Sequence, residues 1–369
     1  MKLTIAREQL INGLQAVQNV VGSRTTLPIL SNVLLQAEQG RLGLTATDLD
    51  VSIACGVEAK VEKVGVTTLP ARRLFSIVRE LGTPEIELEV DEKNVCSLTA
   101  GASFFKVNGL PAEDFPPRPG FADSKRVALP QDKVKGMLRR TAFAVSNDEA
   151  RYVLNGLFFS LREHKVTLVA TDGRRLALTD EEVDIGAENQ TEFIVPAKTV
   201  AELSRLLQDK GEVEISVGDN QVAFDMRGEG LLNILAISKL VEGTYPNYQQ
   251  VIPRESKERI PLVREELVQA LRRAELMTSE KSNSVKLSFT RNTLAITANA
   301  PEIGEARETL AINYKGPDLA VAFNPSFLLD ALKALDNDEV FLELSDELSP
   351  GVLKVNGPFL YVIMPMRMN

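Results

Sequence analysis

A long-period repeat runs through the 369-residue chain and sets the first constraint on its fold. The segment Leu44-Thr45-Ala46-Thr47-Asp48 recurs at residues 168–172 and, ending in asparagine, at residues 294–299. Two sets of residues, one of threonines and one of prolines, keep the register between copies: Thr47, Thr171 and Thr297; Pro70, Pro196 and Pro325. Because two independent anchors give one period, the sequence predicts three copies of a structural unit of about 125 residues.

Each copy carries the same order of secondary-structure signals. Apolar residues three and four positions apart predict an amphipathic helix at the start of each copy. These residues are Leu10, Leu14, Val17 and Val21; Val134, Leu138, Ala142 and Val145; Leu267, Leu271, Ala274 and Met277. Each proline anchor predicts the first turn of a second helix, where a missing N–H costs nothing. Alternating stretches such as residues 86–90 and 213–217 predict antiparallel strands.

The predicted fold class is therefore α+β, with three domains that each contain two helices and antiparallel sheet. We expect these domains at residues 1–122, 123–253 and 254–369. The proline-rich segment at residues 113–120 predicts the first linker, since proline can join neither helix nor ladder interiors. The second linker is predicted around residues 253–259.

The composition removes much enzyme chemistry. His164 is the single histidine, so a paired-histidine zinc motif is absent, and its Arg-Glu-His-Lys context predicts an exposed turn. Cys55 lies in a period-2 apolar series typical of a strand's buried face, which predicts a buried reduced thiol. Cys55 and Cys96 form no CxxC motif, and no phosphate-binding GxxxxGK[ST] motif occurs. We expect no cofactor, no metal and no catalytic site.

The same composition bears on the compartment. No apolar run approaches the 18 or so residues of a membrane span, and Met1–Gln9 lacks the charged and apolar regions of a signal peptide. With 44% hydrophobic and 25% charged residues, the chain has an ordinary globular composition. We therefore expect a cytoplasmic protein that does not contact membranes.

Positive charge is concentrated on the predicted helices. The whole chain has a formal charge of −9, whereas the six predicted helices together carry +6, so the remainder carries −15. Helices on one side and strands on the other would give a mildly basic face and an acidic face. Such a face would hold a polyanion loosely, because few counterions are released on binding. For any single helix, an ordinary solvated surface is the better explanation of the charge, and the pattern across the repeats is what favours a function.

The chain closely resembles the bacterial DNA polymerase III beta subunit family, the replicative sliding clamps. The similarity runs from Met1 to Met368, in family order and at family spacing. Six segments carry it: residues 1–5, 26–32, 170–177, 238–243, 245–248 and 361–367. The resemblance implies a non-catalytic processivity factor that tethers the replicative polymerase to its template.

The resemblance also implies an assembly and its partners. A head-to-tail homodimer would close as a six-domain ring around double-stranded DNA, without sequence preference, with helices lining the hole. An ATP-driven clamp loader would open this ring. The polymerase, the loader and other proteins would dock through short extended peptides that carry a glutamine and apolar anchors.

Site residues follow from the resemblance by position. At the dimer interface, Phe105 and Val107 on a first-domain edge strand should meet the partner's Leu276 and Met277. The residues that should approach DNA are Arg24, Arg73, Tyr152 and Lys198. The partner-peptide pocket should be formed by Leu154, Thr171, Gly173, Arg174, Arg175, Leu176, Pro246, Val251, Val362, Met364, Pro365, Met366 and Arg367. Methionines suit such a pocket, since they adapt to several ligands.

Departures from the family pattern fall at the rim of this pocket. Arg174 stands where some relatives carry histidine, and Gln250 where some carry arginine. The terminal Met368-Asn369 replaces an aliphatic end. Two other readings remain open: a small-molecule enzyme, which a cluster of carboxyl groups with raised pKa values would favour, and a purely structural oligomer.

Overall fold

The computed structural model describes residues 1–22, 27–118, 120–121, 124–162, 164–227 and 233–367. Within these ranges the chain forms six α-helices, two in each sequence repeat, as the repeat pattern predicts. They are α1 (Arg7–Val17), α2 (Ala71–Glu80), α3 (Gln131–Thr141), α4 (Ala197–Leu206), α5 (Arg264–Glu275) and α6 (Pro325–Lys333).

Twenty-five strands accompany the helices in the described part of the chain. In the first repeat they are β1 (Lys2–Ala6), β2 (Asn32–Glu38), β3 (Arg41–Thr47), β4 (Val51–Glu58), β5 (Lys60–Lys63), β6 (Gly65–Pro70), β7 (Glu85–Val90), β8 (Val95–Ala100) and β9 (Ser103–Asn108). In the second they are β10 (Lys125–Pro130), β11 (Gly156–Arg162), β12 (Lys165–Thr171), β13 (Arg175–Glu182), β14 (Thr191–Pro196), β15 (Glu212–Val217), β16 (Gln221–Arg227) and β17 (Ile234–Lys239). In the third they are β18 (Glu258–Val263), β19 (Val285–Thr290), β20 (Thr293–Ala300), β21 (Gly304–Ala311), β22 (Leu319–Phe323), β23 (Glu339–Leu344), β24 (Gly351–Lys354) and β25 (Phe359–Ile363).

The strands form four antiparallel sheets, two of which join strands from consecutive repeats. A five-stranded sheet has the order β5-β1-β7-β8-β9, and a four-stranded sheet has the order β21-β20-β19-β22. The first eight-stranded sheet, β10-β15-β16-β17-β4-β3-β2-β6, combines the first and second repeats. The second eight-stranded sheet, β14-β11-β12-β13-β25-β24-β23-β18, combines the second and third repeats.

Compactness divides the chain into two units rather than three. One unit contains residues 1–135, 187–189 and 198–240, and the other contains residues 136–186, 190–197 and 241–369. The second repeat is therefore shared between them, because each of its half-sheets completes an eight-stranded sheet with a different neighbour. The predicted domain limits at residues 122 and 253 divide the chain by its sequence repeat, whereas these two units divide it by packing.

The proline anchors mark helix starts, although two of them lie one step earlier than predicted. Only Pro325 occupies the first turn, in α6, after Asn324 caps the helix by accepting from Ser326 N. Pro70 and Pro196 instead end β6 and β14, immediately before α2 and α4. The reason is that an extended strand end also tolerates the fixed φ of proline, so the ring fits either side of the boundary.

The helices cover the sheets through their predicted apolar faces. Leu10, Leu14 and Val17 are completely buried, and α1 packs on β4. Gly13 allows this close approach, because a Cβ there would lie 2.9 Å from Leu44 Cδ1. The same contact lets the Cys55 thiol donate to the Gly13 carbonyl at 3.5 Å.

Cys55 and Cys96 are both buried free thiols, as predicted for Cys55. His164 is exposed and has φ +61°, consistent with the predicted turn between β11 and β12. The proline-rich segment at residues 113–120 is not entirely a free linker, because Phe115 is buried against Ile29 and Leu30.

Candidate functional site

A buried apolar cluster lies where β13 pairs with β25 in the second eight-stranded sheet. Leu176 and Val362 are directly opposite each other in this pairing, and each is 2% exposed. Leu154 belongs to the same cluster. The fold therefore brings together three residues that the sequence assigned to the peptide pocket, with Leu176 and Val362 lying 186 residues apart.

Aromatic residues that the sequence prediction did not assign complete this cluster. Tyr245 stacks on Phe158 with ring centroids 4.8 Å apart, and Tyr248 meets the same ring at 6.0 Å. Val169 and Ile194 fill the remaining core positions. The Tyr-Pro-Asn-Tyr segment could have indicated these residues, because its two tyrosines flank Pro246, which the prediction did include.

The segments that follow Tyr248 and Val362 of this cluster expose large apolar side chains. Val251 is 51% exposed, Met364 44% and Met366 37%. Pro246 is also exposed and Pro365 is half-buried. Exposed large apolar side chains in segments that adjoin a buried apolar cluster are typical of an interaction surface.

Two backbone hydrogen bonds hold the chain end that carries the methionines. Met364 N donates to Arg174 O at 2.9 Å, and Met366 N donates to Ala322 O at 2.8 Å. The second bond forms an isolated β-bridge to β22. Arg367 is exposed beyond this bridge, while Met368 and Asn369 lie outside the described residues.

The turn between β12 and β13 uses Thr171 and Gly173 for its own geometry. Thr171 Oγ1 donates to Arg175 O at 2.6 Å and accepts from Gly173 N at 3.1 Å. Gly173 has φ +86°, a left-handed conformation that favours glycine. Asp172 Oδ1 accepts from the backbone N–H groups of Arg174 and Arg175.

The first repeat builds the same turn between β3 and β4. Thr47 Oγ1 donates to Val51 O at 3.0 Å, and Asp48 Oδ1 accepts from Val51 N at 2.7 Å. Thr171 and Asp172 therefore act mainly as structural residues of a recurrent turn. The turns differ in the next two residues, which are Leu49 and Asp50 in the first turn and Gly173 and Arg174 in the second. These side chains can give the two turns different binding properties.

Arg175 is buried and engaged by several groups of its own chain. Its side chain is 10% exposed, with Nη1 2.7 Å from Asp330 Oδ2 and Nε 3.1 Å from Asp172 Oδ2. Nη2 donates to Phe143 O at 2.8 Å, and the guanidinium lies 4.3 Å from the Phe327 ring centroid. Arg175 thus positions the turn, whereas the exposed Arg174 is the arginine available at the surface.

The residues expected near DNA have three different environments. Arg73 is exposed on α2 and forms no hydrogen bond or ion pair with another described residue. Lys198, in the first turn of α4, forms an ion pair with Asp48. Tyr152 is 59% exposed. Arg24 lies outside the described residues.

The residues expected at the dimer interface lie on one sheet edge and after one helix. Phe105, 37% exposed, and Val107, 4% exposed, lie on β9, the last strand of the five-stranded sheet. Leu276, which follows α5, is 74% exposed, and Met277 is half-buried. Val107 thus contributes to its own core and offers a partner little side-chain surface.

The described residues show no cluster of three histidine, cysteine, aspartate or glutamate side chains that is able to hold a metal ion. No helix in the same ranges is long and apolar enough to cross a membrane. Shifted carboxyl groups have lowered pKa values, such as that of Asp336, held down by its hydrogen bond to Arg139, and that of Glu308, held down by Arg273. These shifts are opposite to those that the enzyme alternative calls for.

Comparisons with known proteins agree along the whole chain. Models of the DNA polymerase III beta subunit match its N-terminal domain at residues 1–119, its central domain at 128–247 and its C-terminal domain at 249–367. The beta sliding clamps of Chlamydia pneumoniae and Proteus mirabilis are 38% identical over 369 residues and 36% identical over 374, each with 100% of both chains covered.

Solved structures give the same result. The DNA polymerase III subunit beta of Pseudomonas aeruginosa is 36% identical, with a TM-score of 0.92 and 100% of both chains covered. The sliding clamp of Bartonella birtlesii, solved bound to griselimycin, is 37% identical, with a TM-score of 0.93 and the same coverage. The chain therefore belongs to the DNA polymerase III beta subunit family of sliding clamps, which are processivity factors without catalytic activity of their own.

Proposed function

We propose that two copies of the chain join head to tail in a ring of three predicted domains each, which encircles double-stranded DNA in the cytoplasm. The ring tethers the replicative polymerase and other proteins to the template, and an ATP-driven loader opens it. The observation that carries this proposal is the way in which strands of successive repeats pair.

Equivalent strands make the two joints between repeats. Three consecutive antiparallel strands follow the first helix of each repeat, and the third of these is β4, β13 or β21. The last strand of each repeat is β9, β17 or β25. Within the chain, β17 pairs with β4 and β25 pairs with β13. The remaining two, β9 and β21, each lie at a sheet edge. If β9 of one copy pairs with β21 of another copy, the same kind of joint forms a third time, and both sheet edges are covered.

The intrachain joints also predict the register of this contact. Ala236 lies opposite Ile53 in one joint, and Tyr361 lies opposite Ala177 in the other. Hairpin pairing makes Phe105 the counterpart of Ala236. Following the ladders from the strand that precedes the second helix makes Ala306 the counterpart of Ile53. Phe105 should therefore face the partner's Ala306.

The surroundings of Ala306 support this register. On the same face of β21, the carboxylate of Glu308 accepts from Arg273 Nη2 at 2.6 Å and from Arg273 Nε at 3.0 Å, which ties the end of α5 to β21. The exposed Leu276 follows directly after α5. Phe105 would thus come close to an apolar side chain that is otherwise left in solvent, in line with the expectation from the sequence.

A cysteine pair tests both the joint and the encirclement. Phe104 and Arg307 are exposed and opposite each other in the predicted register, so a chain carrying Phe104→Cys and Arg307→Cys should oxidise to a covalent dimer. The matched control carries Phe104→Cys and Ala311→Cys, four residues out of register on the same face, and should stay uncrosslinked.

The oxidised ring should also show topological binding. It should thread onto linear duplex DNA from a free end and be absent from covalently closed circles, whereas blocking both ends of the linear DNA should prevent retention. A crosslinked protein that binds circles and linear DNA equally would contradict encirclement, and crosslinking in the control would contradict the register.

Partner proteins should dock at the exposed surface formed by Val251, Met364 and Met366. Three features support this: the buried apolar cluster to which the neighbouring Ile252 and Val362 contribute, the hydrogen-bonded chain end, and the adaptability of methionine side chains. The Bartonella birtlesii clamp was solved bound to griselimycin, so a relative of this chain takes a ligand. An extended peptide with apolar anchors fits the chemistry of such a surface.

A further inference from the structure

Two adjoining cavities lie on the face of the first eight-stranded sheet that points away from α1. One has a volume of about 310 Å³ and the other about 120 Å³. Alternate residues of β3, β4 and β17 form the floor of both cavities. The floor of the first is formed by Gly43, Thr45, Ala54 and Leu235. The floor of the second is formed by Thr47, Ser52 and Ile237. Because the floor residues follow one another along the same strands, the cavities form one trough, here named the outer groove.

The groove exists because small or polar residues replace the large ones found at the equivalent positions of the second eight-stranded sheet. There, Val169 and Leu178 belong to the apolar cluster under the peptide surface. Hairpin register makes Thr45 the counterpart of Val169, and Ala54 the counterpart of Leu178. Arg118 occupies the place of Tyr248, since Phe115-Pro116 aligns with Tyr245-Pro246.

One end of the outer groove carries an unneutralised positive charge. Arg118 lines the larger cavity, is exposed, and forms no hydrogen bond or ion pair with another described residue. The nearby Arg41 is already neutralised by Glu38, with Nε 2.8 Å from Oε2. An anionic group, with carboxylate the commonest in proteins, is the complement that Arg118 lacks.

The other end is more apolar, although Thr47 and Ser52 also line it. Val51, Ile237, Pro116 and Pro117 line the smaller cavity, whose volume suits one aliphatic side chain. Leu49, at its edge, is 47% exposed and has φ +79°, in the position where the corresponding turn carries Gly173. A leucine held in a left-handed conformation with its side chain in solvent is a strained feature of the kind found at binding sites.

We propose that the outer groove binds an extended segment of a partner protein, distinct from the peptide surface of the second eight-stranded sheet. An aliphatic side chain of the segment enters the cavity beside Ile237, and a carboxylate two residues away pairs with Arg118. The spacing follows from the floor, because the adjoining positions of the two cavities, Thr45 and Thr47, are two residues apart along β3, or about 6–7 Å. The ion pair between Lys239 Nζ and Asp50 Oδ1, at 2.9 Å, borders the apolar end.

A fluorescein-labelled peptide with the sequence Asp-Ser-Leu-Ser-Asp tests the proposal, since it presents a carboxylate two residues from leucine in either chain direction. We expect saturable binding to the full-length protein in fluorescence anisotropy. Replacing both aspartates of the peptide with lysine should weaken binding at least about tenfold, which is the effect of losing one charge-assisted hydrogen bond.

Variants of the protein then assign the site. Arg118→Ala, on an exposed segment, should weaken the aspartate peptide about tenfold and leave the lysine peptide unchanged. Gly43→Phe should block the groove, because Gly43 lines the larger cavity. The variant should still fold, because a Cβ at Gly43 makes only ordinary contacts, 3.7 Å from Gln36 O. Deleting residues 364–369 should have no effect on this peptide.

Three results would overturn the proposal: no saturable binding at millimolar peptide, binding that survives both Arg118→Ala and Gly43→Phe, or binding that is lost with residues 364–369. The last result would assign the peptide to the other surface.

Discussion

Arg175 illustrates how a residue can belong to a functional surface mainly through the fold that it maintains. Its guanidinium joins the β12–β13 turn to α6 through Asp172 and Asp330, and it stacks on Phe327. Neighbouring Arg174 makes its contact with Met364 through its backbone carbonyl and leaves its side chain in solvent. Adjacent arginines in one motif therefore have different tasks.

Replacing Arg175 with methionine should lower the free energy of unfolding by about 2–3 kcal/mol, because buried polar groups of the chain lose their partner. The matched control, Arg174→Met, should change it by less than about 0.5 kcal/mol. Urea unfolding followed by circular dichroism measures both variants. Equal destabilisation by the two would show that Arg175 does not hold the turn to α6.

The two thiols should be unreactive in the folded protein. Burial raises the pKa of Cys55 and of Cys96 to about 12, so the reactive thiolate is scarce at pH 8. A disulfide-exchange reagent should titrate no thiol quickly in native protein and both after denaturation. Rapid titration of either native thiol would contradict this.

The same shifts predict how stability depends on alkaline pH. Folding favours the neutral thiols, so their contribution is complete below the unfolded pKa, near 9, and is lost as the pH rises toward 12. Replacing both cysteines with alanine should reduce the loss of stability over that interval.

At the scale of elements, the sequence repeat predicted the helices, many strands and the α+β class, because apolar periodicity and proline positions are local signals. The repeat did not predict the strand order, since the pairing of β17 with β4 joins segments some 180 residues apart. The same holds for Arg175, whose partner Asp330 lies 155 residues away. The family resemblance brought Val362 to Leu176, which no local pattern would have done.

Removing residues 364–369 should abolish binding of a clamp-binding peptide while leaving the fold and the dimer intact. In the described part of this segment, residues 364–367, two backbone hydrogen bonds, from Met364 and Met366, form the anchor, so the stability cost should be about 1–3 kcal/mol. Isothermal titration and mass measurement by light scattering test the two halves of the prediction. Retained peptide affinity would refute the assignment of the surface, and loss of the dimer would show that the segment has a structural role.

The whole molecule carries a charge of −9, so any DNA contact depends on how positive residues are distributed rather than on their sum. Arg73 is exposed and has no partner among the described residues, while Lys198 is neutralised by Asp48. A phosphate would compete with Asp48 for Lys198, which keeps each contact weak. Weak contacts suit a protein that is proposed to stay on DNA by topology.

Replacing Lys198 together with Arg24 by alanine should therefore reduce processivity at physiological salt without changing the dimer mass. Arg73→Ala should have a smaller effect in the same direction, and the reductions should shrink as salt rises. The charge-matched control is Lys60→Ala with Lys93→Ala, which lie outside the helices. Processivity unaffected by the first pair, or reduced equally by the control, would refute the DNA-facing assignment.

The recurrence of one strand joint has a kinetic consequence for the proposed ring. The joints between β17 and β4 and between β25 and β13 are tethered by the polypeptide, so a broken one recloses within a single molecule. A joint of the same kind between β9 and β21 has no tether, and its closure loses translational and rotational freedom each time. Dilution or force should therefore part the ring at that seam alone, leaving each half folded and ready to close again.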